Sequence, residues 1–418
     1  MAVSAILSTG PILWSTDHSG EPINLLEGLG SDPDNTMRIA LDARHLYRSD
    51  RRGIGKTLLD LYRHVLKLRP DWEVMAYHRS DQEPQDVLPT RNVQPRSIGM
   101  IGDRFDAWER WRLPLAAWRD ECEVLHCPSN TCPTWMPIPT VVTIHDLIPL
   151  DMPVGRPPAL VRRFEQSVRS ACRHAAHIIC PSRYTRDRLI DQFDADPSRV
   201  TVNYWAADSS MTRPISPMRR REVVSRYGID GPFVLHFGAP APRKNTRRLV
   251  QSWGMLSNSL RRRWTLLVVG LDEPTTATLG DTVADLDVTE SVRLDGFADE
   301  ADVPALLGAA DVLAYPSLAE GFGLPVLDAW ACGTAVLAGD AASLPEIAAD
   351  AALLVDPTDS SSIADGLAAL MSEVAHRQVL IERGRRRLEQ FTWQATAQRF
   401  ARVMEAAAGL AAPARAAA

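Results

Sequence analysis

A chain of 418 residues is longer than one hydrophobic core ordinarily organises, so two domains are expected. Hydrophobic residues make up 45% and charged residues 23%, which excludes wholesale disorder. The net charge of −6 argues against a general nucleic-acid binder, so no nucleic-acid partner is expected.

Residues 1–36 are mixed and without clear period, lack the basic start and cleavage site of a signal peptide, and are read either as a loosely attached N-terminal extension or as preceding a true start at Met37. From residue 37 short apolar runs alternate with helical patterns. Strands are predicted at 39–42, 74–77, 124–126, 141–145, 177–180 and 200–204, with helices at 55–67, 160–174 and 183–193. After a basic helix at 219–227 the pattern restarts. Strands follow at 233–237, 265–269, 292–294, 312–315, 335–338 and 353–355, with helices at 247–256, 302–309, 324–332, 344–348, 361–371, 376–390 and 393–407. Such alternation predicts an α/β chain with parallel sheets covered by helices on both faces. The expected order is a first domain over 37–212, a linker over 213–228, a second domain over 229–392, a closing helix over 393–408 and a tail over 409–418. Cys122, Cys127 and Cys132 recur at an interval that is not a usual zinc spacing and are read as packing residues with free thiols. No run of about 18–20 apolar residues is present to span a membrane. The chain is therefore read as cytoplasmic, with the inner face of the membrane as a further station.

Ligands of open α/β sheets bind beyond the carboxyl ends of the strands, so the loops after strands are where chemistry is sought. After the first strand, Gly53 and Gly55 open a helix whose amides and dipole favour an anion. A P-loop would need glycine at position 50, where Asp50 stands, so a nucleoside-triphosphatase is disfavoured. His145 and Asp146 end an apolar strand, and such a histidine serves either a ligand oxygen or a structural hydrogen bond. Arg243 and Lys244 precede a helix in the second domain; a planar fork beside a mobile ammonium suits a diphosphate. Lys244 stands out because lysine occurs only at Lys56, Lys67 and Lys244. The densest stretch runs from Tyr315 to Thr334. Glu320 follows a strand, Gly321 and Gly323 expose amides at a helix start, Pro325 suits the first turn, and Asp328 lies further along. Together these groups match sugar hydroxyls, a phosphate and a ribose diol.

The stretch Glu320-Gly-Phe-Gly-Leu-Pro with Asp328 resembles the signature of retaining glycosyltransferases of family 4, which have the GT-B fold. Leu41-Asp-Ala-Arg with Gly53-Ile-Gly-Lys, His126-Cys-Pro-Ser-Asn-Thr-Cys-Pro, His145-Asp-Leu-Ile-Pro, Pro181-Ser-Arg-Tyr-Thr-Arg, Pro242-Arg-Lys-Asn and Ser343-Leu-Pro-Glu346 extend the resemblance over most of 37–405. Several are typical of the bacterial mannosyltransferases that build cell-surface polysaccharides. The resemblance implies GT-B architecture, two Rossmann-like domains facing across a cleft, and a nucleotide diphosphate sugar as donor. GDP-mannose is the first choice, a UDP-sugar the second, and no other cofactor is expected. It implies that Glu320 binds sugar hydroxyls, that the backbone of Gly321, Phe322, Gly323 and Leu324 supports sugar and diphosphate, and that Asp328 holds the ribose. Arg243 and Lys244 would neutralise the diphosphate, Gly53 and Gly55 would close on it, and His145 would contact the sugar or its phosphate.

The chain departs from the signature at two places. Asp328 stands where glutamate is usual, shortening the reach by about 1.5 Å, and Asn203–Asp208 replaces a glycine-containing loop on the acceptor side. The implied reaction proceeds on the donor's front face, with the diphosphate helping to deprotonate the acceptor and the two cations standing in for a metal. The Asp-x-Asp triplets at Asp194/Asp196 and Asp285/Asp287 are read as solvated turns. The acceptor is expected to be a glycan or a polyprenyl-linked molecule. Trp108, Trp111, Leu115 and Trp118 recur at near-helical spacing among Arg104, Arg110, Arg112 and Arg119, a pattern that suits a membrane interface, although Pro114 should interrupt the helix and packing explains tryptophans as well. Two rival readings are a nucleotide-sugar epimerase of the same architecture and a degenerate scaffold.

Overall fold

The computed structural model describes residues 36–48, 53–82, 88, 91–99 and 106–409. Asp50, Arg104, the body of the N-terminal extension and residues 410–418 of the tail lie outside them.

The first sheet has seven parallel strands: β1 (Arg38–Asp42), β2 (Glu73–Arg79), β3 (Val93–Ile98), β4 (Val124–Cys127), β5 (Thr140–Thr143), β6 (His177–Cys180) and β7 (Val200–Val202), in the order β3-β2-β1-β4-β5-β6-β7. The second has six: β8 (Phe233–Phe237), β9 (Thr265–Val269), β10 (Val292–Leu294), β11 (Val312–Tyr315), β12 (Ala335–Gly339) and β13 (Leu353–Val355), in the order β10-β9-β8-β11-β12-β13. In each, the chain starts near the middle, winds to one edge, and returns to wind to the other. That reversal opens a crevice at the carboxyl ends of β1 and β4, and of β8 and β11. The central strands are buried on both faces, which is why they read as continuous apolar runs.

The edge strand β3 was not expected. Its middle four residues are exposed and include Pro95, so it shows neither an apolar run nor a full donor row; proline is tolerated there because an edge strand has a side without a partner. The helix Glu273–Asp285 was also missed. Its threonines and glycine are weak helix formers, but the Asp272 side chain accepts from the Thr275 amide and caps it. The expected strand 141–145 ends at Thr143, which leaves His145 and Asp146 in the loop beyond it. Likewise β7 ends at Val202, so the Tyr204–Asp208 segment is free to bend toward the second domain.

The basic helix of the expected linker runs over Pro217–Arg226 and belongs with the second sheet's helices. Arg219 and Arg226 reach the buried Asp302 at 2.7 and 2.9 Å, and Arg220 donates to the Gly308 carbonyl at 2.9 Å. The last helix, Trp393–Gly409, crosses back to the first domain. Phe400 stands edge-on to Tyr62 and His126, and Arg69 pairs with Glu405 at 2.6 Å. The Thr396 hydroxyl donates to the Tyr204 carbonyl at 2.7 Å, and the Trp393 indole to the Ala207 carbonyl at 2.8 Å. One apolar cluster therefore runs from Ile39 and Leu41 through Phe400 to Leu235 and Tyr315.

Cys122, Cys127 and Cys132 are buried as free thiols, and burial pushes the Cys122 thiol up to about 12. Asp194 closes a helix in the left-handed region and Asp196 caps the next turn. Asp287 also has positive φ, just past the helix that contains Asp285. The first triplet thus occupies a turn, and the second straddles a helix end and the turn after it. Among the described residues no group of three or more His, Cys, Asp or Glu side chains is placed to hold a metal ion.

Candidate active site

The loop after β11 and the loop after β8 meet at one carboxylate. Glu320 Oε1 accepts from the Tyr315 hydroxyl at 2.7 Å and from Lys244 Nζ at 2.9 Å, and lies 2.6 Å from Arg243 Nη1. Lys244 Nζ also donates to the Tyr315 hydroxyl at 2.7 Å and stands over its ring. Burial would raise the Glu320 pKa, but the Lys244 and Arg243 charges prevail and hold it below the usual glutamate range. Burial pulls Lys244 down, offset only in part by Glu320. The carboxylate is thus ionised at neutral pH, and a cation pair is gathered around one of its oxygens.

Local backbone structure sets this geometry. Pro242–Lys244 is a single 3₁₀ turn closed by Asn245 at φ 62. The Asn245 amide donates to the Pro316 and Pro357 carbonyls at 3.0 and 2.6 Å, and the Leu318 amide donates to the Arg243 carbonyl at 2.8 Å. The two loops are therefore stitched together by one backbone bond and by the Asn245 side-chain amide, independently of the Glu320 cluster. Tyr315, the last residue of β11, is fully buried. Sequence reasoning missed its role, because a tyrosine ending a strand looks like core; the available signal was its place five residues before Glu320.

Gly321 and Gly323 are required for different reasons. A Cβ on Gly321 would lie 1.9 Å from the His145 carbonyl oxygen, so the backbones of the two domains touch here with no room for a side chain. The Ser182 hydroxyl donates to the Gly321 carbonyl at 2.7 Å across the same seam. Gly323 has φ 107 and precedes the helix Leu324–Cys332, with Pro325 in its first turn. The Phe322 ring packs against Tyr204 and Phe391, so what Phe322 offers a ligand is its backbone. Leu324 opens the helix, and its amide belongs to the dipole-bearing first turn.

His145 stands on the facing side. Its Nε2 donates to the Pro128 carbonyl at 2.7 Å, which fixes that proton, and its amide donates to Asn130 at 2.5 Å. Asp146 lies beside it, raised above the usual range by burial and close enough to feel Arg243. Glu346 adds a second interdomain contact by accepting from the Arg183 and Tyr184 amides, at 2.9 and 3.1 Å, and from the Tyr204 hydroxyl at 2.7 Å.

Asp328 lies at the other end of the motif and faces a different set of groups. Its Oδ1 accepts from the Asp208 amide at 2.9 Å. Burial pushes its pKa up to about 7; the Asp208 and Asp60 carboxylates add to this, while the Asp208 amide and Lys56 oppose it. Lys56 Nζ is 3.7 Å from Asp208 and 2.6 Å from Glu300 of the second domain. Gly53, at φ 38, caps the helix that carries Gly55 and Lys56. The two departures from the family signature, Asp328 and the Asn203–Asp208 loop, are therefore hydrogen-bonded to each other.

Residues 51–210 match the family described as Glycosyltransferase Family 4, and residues 222–387 match Glycosyl transferases group 1. The chain is a glycosyltransferase, with a family 4 domain followed by a group 1 domain. This glycosyltransferase is 28% identical over 362 residues to O-antigen chain mannosyltransferase B of Escherichia coli, an alignment covering 82% of this chain and 93% of the relative. It is 27% identical over 313 residues to the MMP alpha-(1->4)-mannosyltransferase of Mycolicibacterium hassiacum, covering 70% and 72%. Among solved structures, Anabaena HepE in complex with UDP and glucose superposes with a TM-score of 0.69 at 17% identity, covering 88% of this chain and 99% of that one. WaaG, a glycosyltransferase involved in lipopolysaccharide biosynthesis, gives 0.68 at 16% identity, covering 88% and 99%. The architecture is GT-B. Among the described residues, no helix is long and apolar enough to cross a membrane.

Proposed function

We propose that this chain transfers a hexosyl group, mannose in the first instance, from a nucleotide diphosphate sugar to a hydroxyl of a glycan or polyprenyl-linked acceptor, with retention at the anomeric carbon. GDP-mannose is the first donor to test and UDP-sugars the second. The observation that carries this reading is the cation pair Arg243 and Lys244, held on the single oxygen Glu320 Oε1 at the start of a helix. The relatives that are mannosyltransferases support the choice of sugar, and the UDP-bound neighbour supports the donor class.

In the proposed reaction the bond between the anomeric carbon and the diphosphate oxygen breaks while the acceptor oxygen bonds to the same face. The acceptor proton passes to the departing diphosphate. The negative charge that develops on that group is met by Arg243, Lys244 and the helix N-terminus. Two of the three Lys244 N–H groups are occupied by Tyr315 and Glu320, so the ammonium is held in place with a donor left for phosphate. Glu320 Oε2 then serves the sugar hydroxyls and Asp328 the ribose. The cations supply compensation that a metal would otherwise give, so transfer proceeds in the presence of chelator.

The test is a melting-temperature screen of the full chain against nucleotide diphosphates and their sugars, with and without chelator, followed by transfer from radiolabelled donor and assignment of the product anomer. A chelator-insensitive shift, lost in Lys244→Ala, is the expected result. Absence of any shift at millimolar donor, together with transfer or donor hydrolysis indifferent to Glu320, would overturn the reading. Sugar conversion without an acceptor would instead favour the epimerase.

A further inference from the structure

The tryptophan pattern of residues 108–118 divides in the folded chain. Trp108 turns inward, with no exposure and the Arg44 guanidinium over its ring. Trp111 and Trp118 stay 55% and 52% exposed, and Leu115 between them is half-buried. Pro114 does not interrupt the helix. A π-helical turn over Trp108–Arg112 runs straight into the helix Leu113–Arg119, and Pro114 sits at the junction of the two. Residues 111, 115 and 118 follow one another at helical spacing, while Leu113, Pro114 and Ala117 of the same helix are buried. A third indole joins them from the β4–β5 connection: Trp135 is 42% exposed and its ring lies 6.5 Å from that of Trp111.

The charges of this segment are sorted by face. Glu109 is buried and accepts from Arg44 at 2.8 Å and from the Thr131 hydroxyl at 2.5 Å. Asp106 is near Arg163 at 3.6 Å, and Asp120 accepts from the Tyr77 hydroxyl at 2.7 Å. Arg110, Arg112 and Arg119 have no carboxylate partner among the described residues. Asp106 and Asp120 are partly exposed, each beside an arginine (Arg163 and Arg96), and Glu121 is exposed just beyond the helix. A molecule of net charge −6 thus presents here a cationic frame around three indoles. Arg44 and Thr131 follow β1 and β4, so the segment is anchored at the carboxyl edge of the first sheet, the same edge that carries His145.

We propose that Trp111, Trp118 and Trp135, framed by Arg110, Arg112 and Arg119, dock this protein on an anionic lipid surface. Indoles settle at the level of lipid headgroups because one edge is apolar and the other donates a hydrogen bond. Guanidinium groups bind lipid phosphates through paired N–H bonds. The surface holds the acceptor half of the cleft beside the bilayer, where a polyprenyl-linked acceptor resides. That consequence rests on the sugar-transfer reading; the lipid contact itself does not.

The experiment is co-flotation of the full chain with vesicles of phosphatidylcholine alone or mixed with phosphatidylglycerol. The chain is expected to float with the mixed vesicles, to remain soluble with phosphatidylcholine alone, and to be released by high salt. The double variant Trp111→Ala, Trp118→Ala should partition at least about tenfold more weakly with an unchanged melting temperature, since both side chains are exposed. Arg112→Glu with Arg119→Glu should abolish the preference for anionic vesicles. Failure of the wild type to float with either vesicle, equal flotation with both, or flotation indifferent to the tryptophans would each overturn the proposal. So would light scattering that shows the face joining two copies, with the tryptophan variant monomeric. The donor-induced melting shift is read separately, so loss of lipid binding and loss of the donor site are told apart.

Discussion

Glu320 and Asp328 belong to one short stretch, yet their carboxyl groups answer to different neighbours. Glu320 is surrounded by the second domain's own groups: Arg243, Lys244 and Tyr315, all on loops or strand ends of the same sheet. Asp328 is surrounded largely by the first domain: the Asp208 amide, the Asp208 and Asp60 carboxylates, and Lys56. The first is held ionised by cations and the second is pushed toward neutrality by burial and other acids. The hydrogen-bond and ion-pair partners of Glu320 thus all come from one domain, whereas the setting of Asp328 exists only while the two domains are together. Proton binding at Asp328 is in this way linked to closure of the cleft more strongly than proton binding at Glu320, which feels the first domain through Asp146.

The largest expected effect comes from breaking the cation cluster. Glu320→Gln should lower the transfer rate by about 10²–10³-fold, as loss of a preorganised charge in a buried site does; initial rates at saturating donor check this, and a rate within a factor of two of wild type would remove Glu320 from the reaction. Tyr315→Phe keeps the ring and deletes only the hydroxyl. Loss of two hydrogen bonds to charged groups should reduce kcat by about tenfold, with the melting temperature little changed, and Lys244→Ala should leave little further loss for Tyr315→Phe to add. Additive losses in the double variant would mean that the tyrosine does not act through the lysine.

The next effect is one of pH. The Glu320 carboxyl, lying below the usual range, stays ionised from pH 6 to 8. Asp328, at about 7, changes state within that interval. Donor affinity measured by calorimetry should therefore rise several-fold from pH 6 to 8, and the rise should vanish in Asp328→Asn. Stability moves the opposite way. A carboxyl whose folded pKa is raised contributes fully below the ordinary aspartate value, and the contribution is lost as the pH climbs through about 7. Chemical denaturation should show Asp328→Asn gaining on the wild type between pH 5 and 8. The smallest effect is expected from Lys56→Ala. Removing the cation that opposes the shift should move the midpoint of the affinity profile upward by a fraction of a pH unit; a downward movement would place Lys56 outside the Asp328 environment.

Much of this architecture was legible because the central strands are buried on both faces and announce themselves as apolar runs. The same rule hid β3, whose exposed middle and Pro95 carry no such run, and the helix Glu273–Asp285, whose threonines read as loop. Within the candidate site, Glu320, Arg243 and Lys244 could be picked out as charges beyond strand ends. Tyr315 could not, since nothing in a sequence separates a buried phenol that packs from one that positions. The Asp208 amide is a harder case still: a backbone donor leaves no mark on residue type, so the link between Asp328 and the 203–208 loop is visible only once the chain is folded. Trp108 and Trp111 teach the same lesson on the surface, where spacing alone grouped residues that a π-helical turn sends to opposite faces.

The final helix has a consequence for how the protein is made. The first sheet is finished at Val202, but Phe400 and Trp393, which complete its packing beside Tyr62, His126 and Ala207, arrive roughly 200 residues later. At the usual pace of synthesis, about 5–20 residues per second, the ribosome adds that interval over some 10–40 s. For that time the amino-terminal half waits with an apolar face uncovered, in need of a chaperone's shelter. A stop codon that removes only the last helix would thus injure the half of the enzyme that was translated first.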